Sequence, residues 1–115
     1  RTVSPMRESK THSPQADTLS PRAVGRRLRA WRKASGLEII DLANGIGEDR
    51  NQISQWETGR SRPSVPVMWK MFSTFSLPSD CLLFGAIEAL PGRLIPLVSA
   101  ELAELDTLEN TTSKE

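Results

Sequence analysis

Four neighbouring side chains have the right types and spacing to form paired hydrogen bonds with the edges of DNA bases. They are Arg50, Asn51, Gln52 and Gln55. Arginine can donate two hydrogen bonds to guanine O6 and N7, while asparagine and glutamine amides can pair with adenine N6 and N7. On a helix, residues 50 to 52 lie in the first turn, and residue 55 lies one turn further along the same face. The pattern favours a base-reading helix; the alternative is an ordinary solvated polar face.

Two short helices separated by Gly47 would have to position these side chains. A helix-turn-helix joins two closely crossing helices by a turn of three or four residues, and glycine tolerates the positive φ that such a turn needs. Ala43, four positions before the glycine, is small enough to let the helices approach each other. We expect the apolar contact between the two helices and the rest of the domain to be formed by Leu42, Ile46, Ile53 and Trp56.

The capping residues Ser20, Asp49 and Ser64 and the apolar spacing predict an all-α domain, and no segment shows the two-residue alternation of a strand. The predicted helices cover residues 21–34, 38–46, 50–58, 64–76 and 80–84, and a sixth begins near residue 96 and frays from about residue 110. The first helix would bury Val24, Leu28 and Trp31. The fourth is predicted to carry Val65, Met68, Trp69, Phe72 and Phe75 on one side.

Charge is distributed unevenly along the 115 residues, although the net charge is only +1. Residues 22–62 hold nine basic and five acidic residues, whereas residues 63–115 hold three basic and seven acidic ones. A polyanion would therefore be attracted to the middle of the chain. Residues 1–20 are rich in Ser, Thr and Pro and predict a flexible tail, which would be either an inert linker or a basic arm that touches DNA.

Several classes of protein are excluded by what the sequence lacks. One cysteine, Cys81, and one histidine, His12, supply neither an internal disulfide nor a zinc site. No Gly-rich phosphate loop and no nucleophile with a base is present, so we predict no enzymatic activity, no metal and no cofactor. No apolar stretch is long enough to span a membrane or to form a signal peptide, which favours a cytoplasmic protein.

Residues 22–85 resemble the lambda-repressor/Cro-like (Xre) family of helix-turn-helix DNA-binding domains. The most specific segments are GRRLRAWRKASGL, DLANGIG, ISQWETGRSRPS and the closing LLFG. The resemblance implies a five-helix domain, residues 21–85, whose third helix enters the major groove of double-stranded DNA, usually as a homodimer on a two-fold operator. Residues 86–115 would form an extension with one additional helix.

The resemblance also assigns roles to individual residues. It makes Arg50, Asn51, Gln52 and Gln55 the base-facing side chains, in agreement with their chemistry. Arg60 and Arg62, just beyond the third helix, would contact phosphates, and Arg26 is a further phosphate candidate whose alternative is plain basic surface. Arg32 and Glu57 are expected to form a partly buried bidentate pair that holds the third helix against the scaffold.

The sequence departs from the family pattern at two places. Glu48 follows the turn glycine where an apolar residue is usual, and it would either point outward or share the start of the third helix with Asp49. Glu38 and Ile39 replace the small polar cap and the glutamine that contacts phosphate in many relatives. We therefore expect one phosphate contact to be missing and apolar surface to be exposed at Ile39 and Ile40.

The sixth helix carries a short apolar seam formed by Ile95, Val98, Leu102 and Leu105. This seam would either join two copies of the chain or pack back on the chain's own fifth helix. The sequence thus predicts a transcriptional regulator, most simply a repressor. The alternative is a protein-interaction module on the same scaffold, such as the antitoxin of a toxin-antitoxin pair.

Overall fold

The computed structural model describes residues 17–113, and the side chains of residues 17–109. The described part is all-helical and has no strand. Its helices are α1 (Pro21–Ala34), α2 (Ile39–Ile46), α3 (Arg50–Glu57), α4 (Val65–Phe75), α5 (Ser79–Phe84) and α6 (Ile95–Ser113). Two 3-10 turns, Ile87–Ala89 and Gly92–Leu94, connect α5 to α6 where the sequence predicts irregular chain. Most of the predicted N-terminal tail lies outside the described residues.

Side-chain caps explain where three of the helices begin. The Ser20 hydroxyl accepts a hydrogen bond from the Ala23 amide at 3.1 Å, the Asp49 carboxylate from the Asn51 amide at 3.3 Å, and the Ser64 hydroxyl from the Val67 amide at 3.3 Å. Each cap satisfies an amide that has no partner inside the helix. The starts of α1 and α3 thereby follow from the sequence.

The core brings α1, α2 and α3 together through the residues that the sequence singles out. Val24, Leu28 and Trp31 of α1 are buried, as are Leu42, Ala43 and Ile46 of α2 and Ile53 and Trp56 of α3. Gly47 ends α2 in the left-handed conformation, at φ 69°. The predicted core of the helix-turn-helix is therefore confirmed.

The apolar side of α4 that the sequence predicts is only partly buried. Val67, Met68 and Met71 are buried, whereas Val65, Trp69 and Phe72 are exposed and Phe75 is half-buried. The helix is apolar on most of its circumference, so its periodicity could not distinguish the two sides. One consequence is an apolar groove between α4 and α5, lined by Val65, Trp69, Phe72, Pro78 and Leu83.

Helix α6 packs chiefly on α1 rather than on α5. Val98 of its apolar seam is buried, and Ile95 and Leu102 pack against the same core. The seam is therefore occupied within the chain, by a different helix from the one expected. This packing also places the C-terminal end of α6 close to the start of α1.

Candidate nucleic-acid interface

The two sides of α3 differ sharply in exposure. Ile53, Trp56 and Glu57 face the interior and are buried. On the other side Arg50 and Asn51 are exposed, and Gln52 and Gln55 are partly exposed. The four predicted base-reading side chains thus lie on one short helix, anchored from behind by apolar groups.

A direct backbone contact fixes α3 against α1. A Cβ atom placed on Gly25 would lie 2.1 Å from the carbonyl oxygen of Trp56 and 3.0 Å from that of Glu57. No side chain fits in that space, because real Cβ atoms do not approach carbonyl oxygens so closely. The final turn of α3 therefore rests on the backbone of α1.

Arg32 and Glu57 form the bidentate ion pair expected between α1 and the end of α3. The Arg32 Nε donates to Glu57 Oε2 at 2.6 Å, and Nη2 donates to Oε1 at 3.0 Å. The remaining Nη1 donates to the Leu37 carbonyl oxygen at 2.8 Å. Both side chains are buried, with 8% and 2% of their surface exposed, so the pair joins three segments of the domain from inside.

Two of the predicted phosphate-contacting arginines, Arg60 and Arg62, are exposed in the connection between α3 and α4. The Arg62 Nη1 donates to the Leu19 carbonyl oxygen at 2.9 Å. Just before them, a Cβ on Gly59 would lie 2.9 Å from the Cα of Arg22. The connection therefore runs along the start of α1.

The third predicted phosphate residue, Arg26, is engaged by α6. Its Nη2 pairs with Asp106, and its Nη1 lies 2.5 Å from Glu109 Oε2. The same Glu109 oxygen lies 2.6 Å from Arg22 Nη2. Nothing in the sequence links these residues, which are about 80 positions apart and lie on helices that only the fold brings together.

A neighbouring arginine, Arg27, has a structural role. Its Nη1 donates to the carbonyl oxygens of Thr18 and Leu82, each at 2.8 Å, and to that of Leu83. Burial lowers the pKa of the Arg27 guanidinium, an effect that the nearby Cys81 opposes. Arg27 thus ties the chain before α1 to the end of α5.

The two departures from the family pattern have defined positions. The Glu48 carboxylate lies 3.2 Å from Lys70 Nζ of α4, so it pairs within the protein rather than pointing freely outward. At the start of α2 the Glu38 amide donates to the Asp41 carboxylate at 2.9 Å. Both acidic residues, Glu38 and Asp41, are exposed. Ile40 is 43% exposed, whereas Ile39 packs partly against the core. The start of α2 is therefore a poor phosphate site.

A family model described as "Helix-turn-helix" matches residues 28–80. The match includes α2, the turn at Gly47, α3 and α4, together with most of α1. Residues 28–80 thus match the model of the lambda-repressor/Xre-like helix-turn-helix domain, which is a DNA-binding domain. No curated protein and no solved structure shows a significant match to the chain.

Residues 17–113 lack two further features. No group of three or more His, Cys, Asp and Glu side chains in that range is arranged to hold a metal ion. No helix in the same range is both long enough and apolar enough to cross a membrane.

Proposed function

We propose that this protein is a sequence-specific regulator of transcription that reads the major groove of double-stranded DNA with α3. The observation that carries the proposal is the two-sidedness of this helix. Arg50 and Asn51 are exposed, while Ile53 and Trp56 behind them are buried. Side chains that pair with guanine and adenine are thus free for contact on a helix that is held from behind.

Repression follows most simply, because a protein that occupies promoter DNA blocks polymerase without any chemistry of its own. Such a regulator would act in the cytoplasm, beside the DNA. Arg60 and Arg62 would supply phosphate contacts that fix register but do not read sequence. Glu38 and Ile39 replace the polar cap and the phosphate-contacting glutamine of many relatives, and the exposed Asp41 lies beside them, so we expect a modest affinity.

The test begins by selecting bound duplexes from a random pool, which yields the preferred site and the spacing of its halves. The variant Arg50→Ala with Gln55→Ala should then lose its preference for that site over unrelated duplexes, measured by fluorescence anisotropy. Its unfolding free energy should stay within about 1 kcal/mol of the wild type, as for ordinary surface changes. Arg93→Ala, an exposed arginine outside α3, is the control for lost charge. Selectivity retained by the double variant would contradict the proposal.

We further propose that the regulator acts as a homodimer on a two-fold operator. The seam of α6 packs on α1, so the dimer needs another surface. The groove between α4 and α5 offers one, since Trp69 is 65% and Val65 76% exposed. Sedimentation over a range of protein concentrations should show a dimer that Trp69→Glu converts to a monomer. A protein that is monomeric at every concentration would contradict this arrangement.

The same groove supports a second candidate function, a protein-interaction module such as an antitoxin. An exposed cluster of large apolar side chains commonly marks a binding surface, and the rings of Trp69 and Phe72 lie 5.9 Å apart within it. This candidate predicts a monomer that binds no duplex even at low salt. The proposed regulator predicts binding that weakens steeply as salt rises.

A further inference from the structure

The acidic end of α6 lies on the basic start of α1. Glu109 contacts both Arg22 and Arg26, at 2.6 and 2.5 Å, and Asp106 pairs with Arg26 as well. Arg22 and Arg26 are one helical turn apart, and Asp106 and Glu109 are three residues apart, so each pair of side chains shares one face of its helix. Two carboxylates therefore neutralise two arginines across the contact between the helices.

The ionisation of these groups reflects their mutual attraction. Partial burial by itself would lower the pKa of Arg26, but hydrogen bonds and charge attraction from Glu109 and Asp106 outweigh burial and raise it. The hydrogen bond from Arg26, followed by that from Arg22, lowers the pKa of Glu109. Arg26 and Glu109 thus each favour the charged form.

This ionic cluster adjoins the segment assigned to phosphate contacts. Gly59, at the end of α3, lies against the backbone of Arg22. Arg62, three residues later, reaches back to the carbonyl oxygen of Leu19. Arg22 and Arg26 therefore belong to the same side of the domain as the exposed connection from α3 to α4.

The cluster is also open to solvent. The exposed fractions of its side chains are 69% for Arg22, 20% for Arg26, 65% for Asp106 and 39% for Glu109. A phosphate group forms the same charge-assisted pair with a guanidinium group as a carboxylate does. Because the carboxylates are accessible, an incoming phosphate could replace them without opening the core.

We propose that Asp106 and Glu109 compete with the DNA backbone for Arg22 and Arg26, so that α6 holds down the DNA affinity of the helix-turn-helix domain. The inference rests on the proposed DNA-binding function and adds an internal competitor to it. With the carboxylates in place, the two arginines are neutralised. Without them, both arginines would join Arg60 and Arg62 in attracting phosphates.

The experiment measures binding to a duplex of about 30 base pairs with no selected site, because phosphate contacts do not require a particular sequence. The test variant is Asp106→Asn with Glu109→Gln. Its matched control, Glu101→Gln with Glu104→Gln, removes two negative charges from the same helix at positions that form no ion pair with a described residue. Anisotropy titrations between about 50 and 200 mM salt, the range in which phosphate binding responds strongly, give the dissociation constants.

We expect the test variant to bind several-fold more tightly than both the wild type and the control, with the advantage shrinking as salt rises. Adding Arg22→Gln and Arg26→Gln to the test variant should abolish the gain. Equal gains in the test and control variants would overturn the inference, because they would reflect net charge alone. A gain that survives loss of both arginines would also overturn it.

The result separates the two proposals. If the wild type binds duplex DNA and the test variant binds it no better than the control does, only the competition is wrong. If neither the wild type nor any variant binds duplex DNA at the lowest salt, the DNA-binding function itself is wrong. Circular dichroism of each variant establishes that α6 is still folded.

Discussion

Helix α1 forms ion pairs on two of its sides, and the two sets have similar chemistry and similar distances but differ in burial. Arg32 meets Glu57 inside the domain, at distances of 2.6 and 3.0 Å. Arg22 and Arg26 meet α6 at its surface, at equally short distances of 2.6 and 2.5 Å from Glu109. The Glu57 side chain is 2% exposed and that of Glu109 is 39% exposed.

The distance between two charged groups therefore does not show whether their ion pair holds the fold together. When a buried charge loses its partner, no water is present to solvate the charge. An exposed charge that loses its partner is solvated by water at once. The buried pair keeps α3 in place, and the exposed set can change partners. Variants that break one set or the other should reveal this difference directly.

The largest effect is expected from Glu57→Ala, which leaves the Arg32 guanidinium buried without its carboxylate. Loss of one member of a buried pair costs about 3–5 kcal/mol, and we expect a decrease of that size in the unfolding free energy. Urea denaturation followed by circular dichroism measures it. A loss below about 1 kcal/mol, the range of exposed pairs, would erase the distinction between the two sets.

The matched control removes both charges together, as Arg32→Met with Glu57→Leu. Replacement of a buried ion pair by apolar groups of similar size is often neutral or stabilising. The double variant should therefore recover most of the stability lost by Glu57→Ala, even though the Leu37 carbonyl oxygen loses a donor.

A smaller effect is expected from Cys81, a buried group that ionises without a carboxylate partner. Burial raises the pKa of its thiol from 9.0 to about 11; nearby Arg27 opposes the rise and Glu88 adds to it. The folded state favours the neutral thiol, so stability is complete below about pH 9 and declines as the pH rises toward 11. The measurement is the unfolding free energy between these pH values.

Cys81→Ala is the reference for that measurement. It loses stability at every pH because it leaves a cavity, but it should lack the alkaline decline that the thiol contributes. Parallel curves for the wild type and Cys81→Ala from neutral pH upward would contradict the raised pKa.

The smallest effect on stability is expected when the exposed pairs are broken by Asp106→Asn with Glu109→Gln. Water solvates the Arg22 and Arg26 guanidinium groups that lose their carboxylate partners. The urea midpoint should therefore agree with that of the wild type within experimental error. Raising the salt concentration should bring the two midpoints still closer. A loss comparable to that of Glu57→Ala would show that the surface pairs are structural.

Much of the fold could be predicted because its signals are local. Ser20, Asp49 and Ser64 cap helices at the positions where the sequence predicts them, and Gly47 forms the turn. The core of the first three helices follows from apolar spacing, which is unambiguous where polar residues cover the other faces. Helix α4 is apolar on most of its circumference, so apolar spacing did not show that Val67, Met68 and Met71 are its buried residues.

The candidate site also has a part that the sequence predicted and a part that it did not. The family resemblance named Arg32 and Glu57 as a pair, and the two side chains do meet. The base-reading roles of Arg50 and Gln55 remain predictions, because exposure permits contact with DNA without demonstrating it. The partners of Arg26 could not have been foreseen, since they depend on how a helix some 80 residues later folds back onto α1.

The contact at Gly25 has a consequence for anyone who redesigns this protein. Position 25 lies against the carbonyl oxygens of Trp56 and Glu57, and even one added carbon would overlap them. Any larger residue would tilt α3 as a rigid body, so a library that varies this codon should return glycine alone among functional clones. Altered sequence specificity is better sought on the outer side of α3, where residues can change without moving the helix.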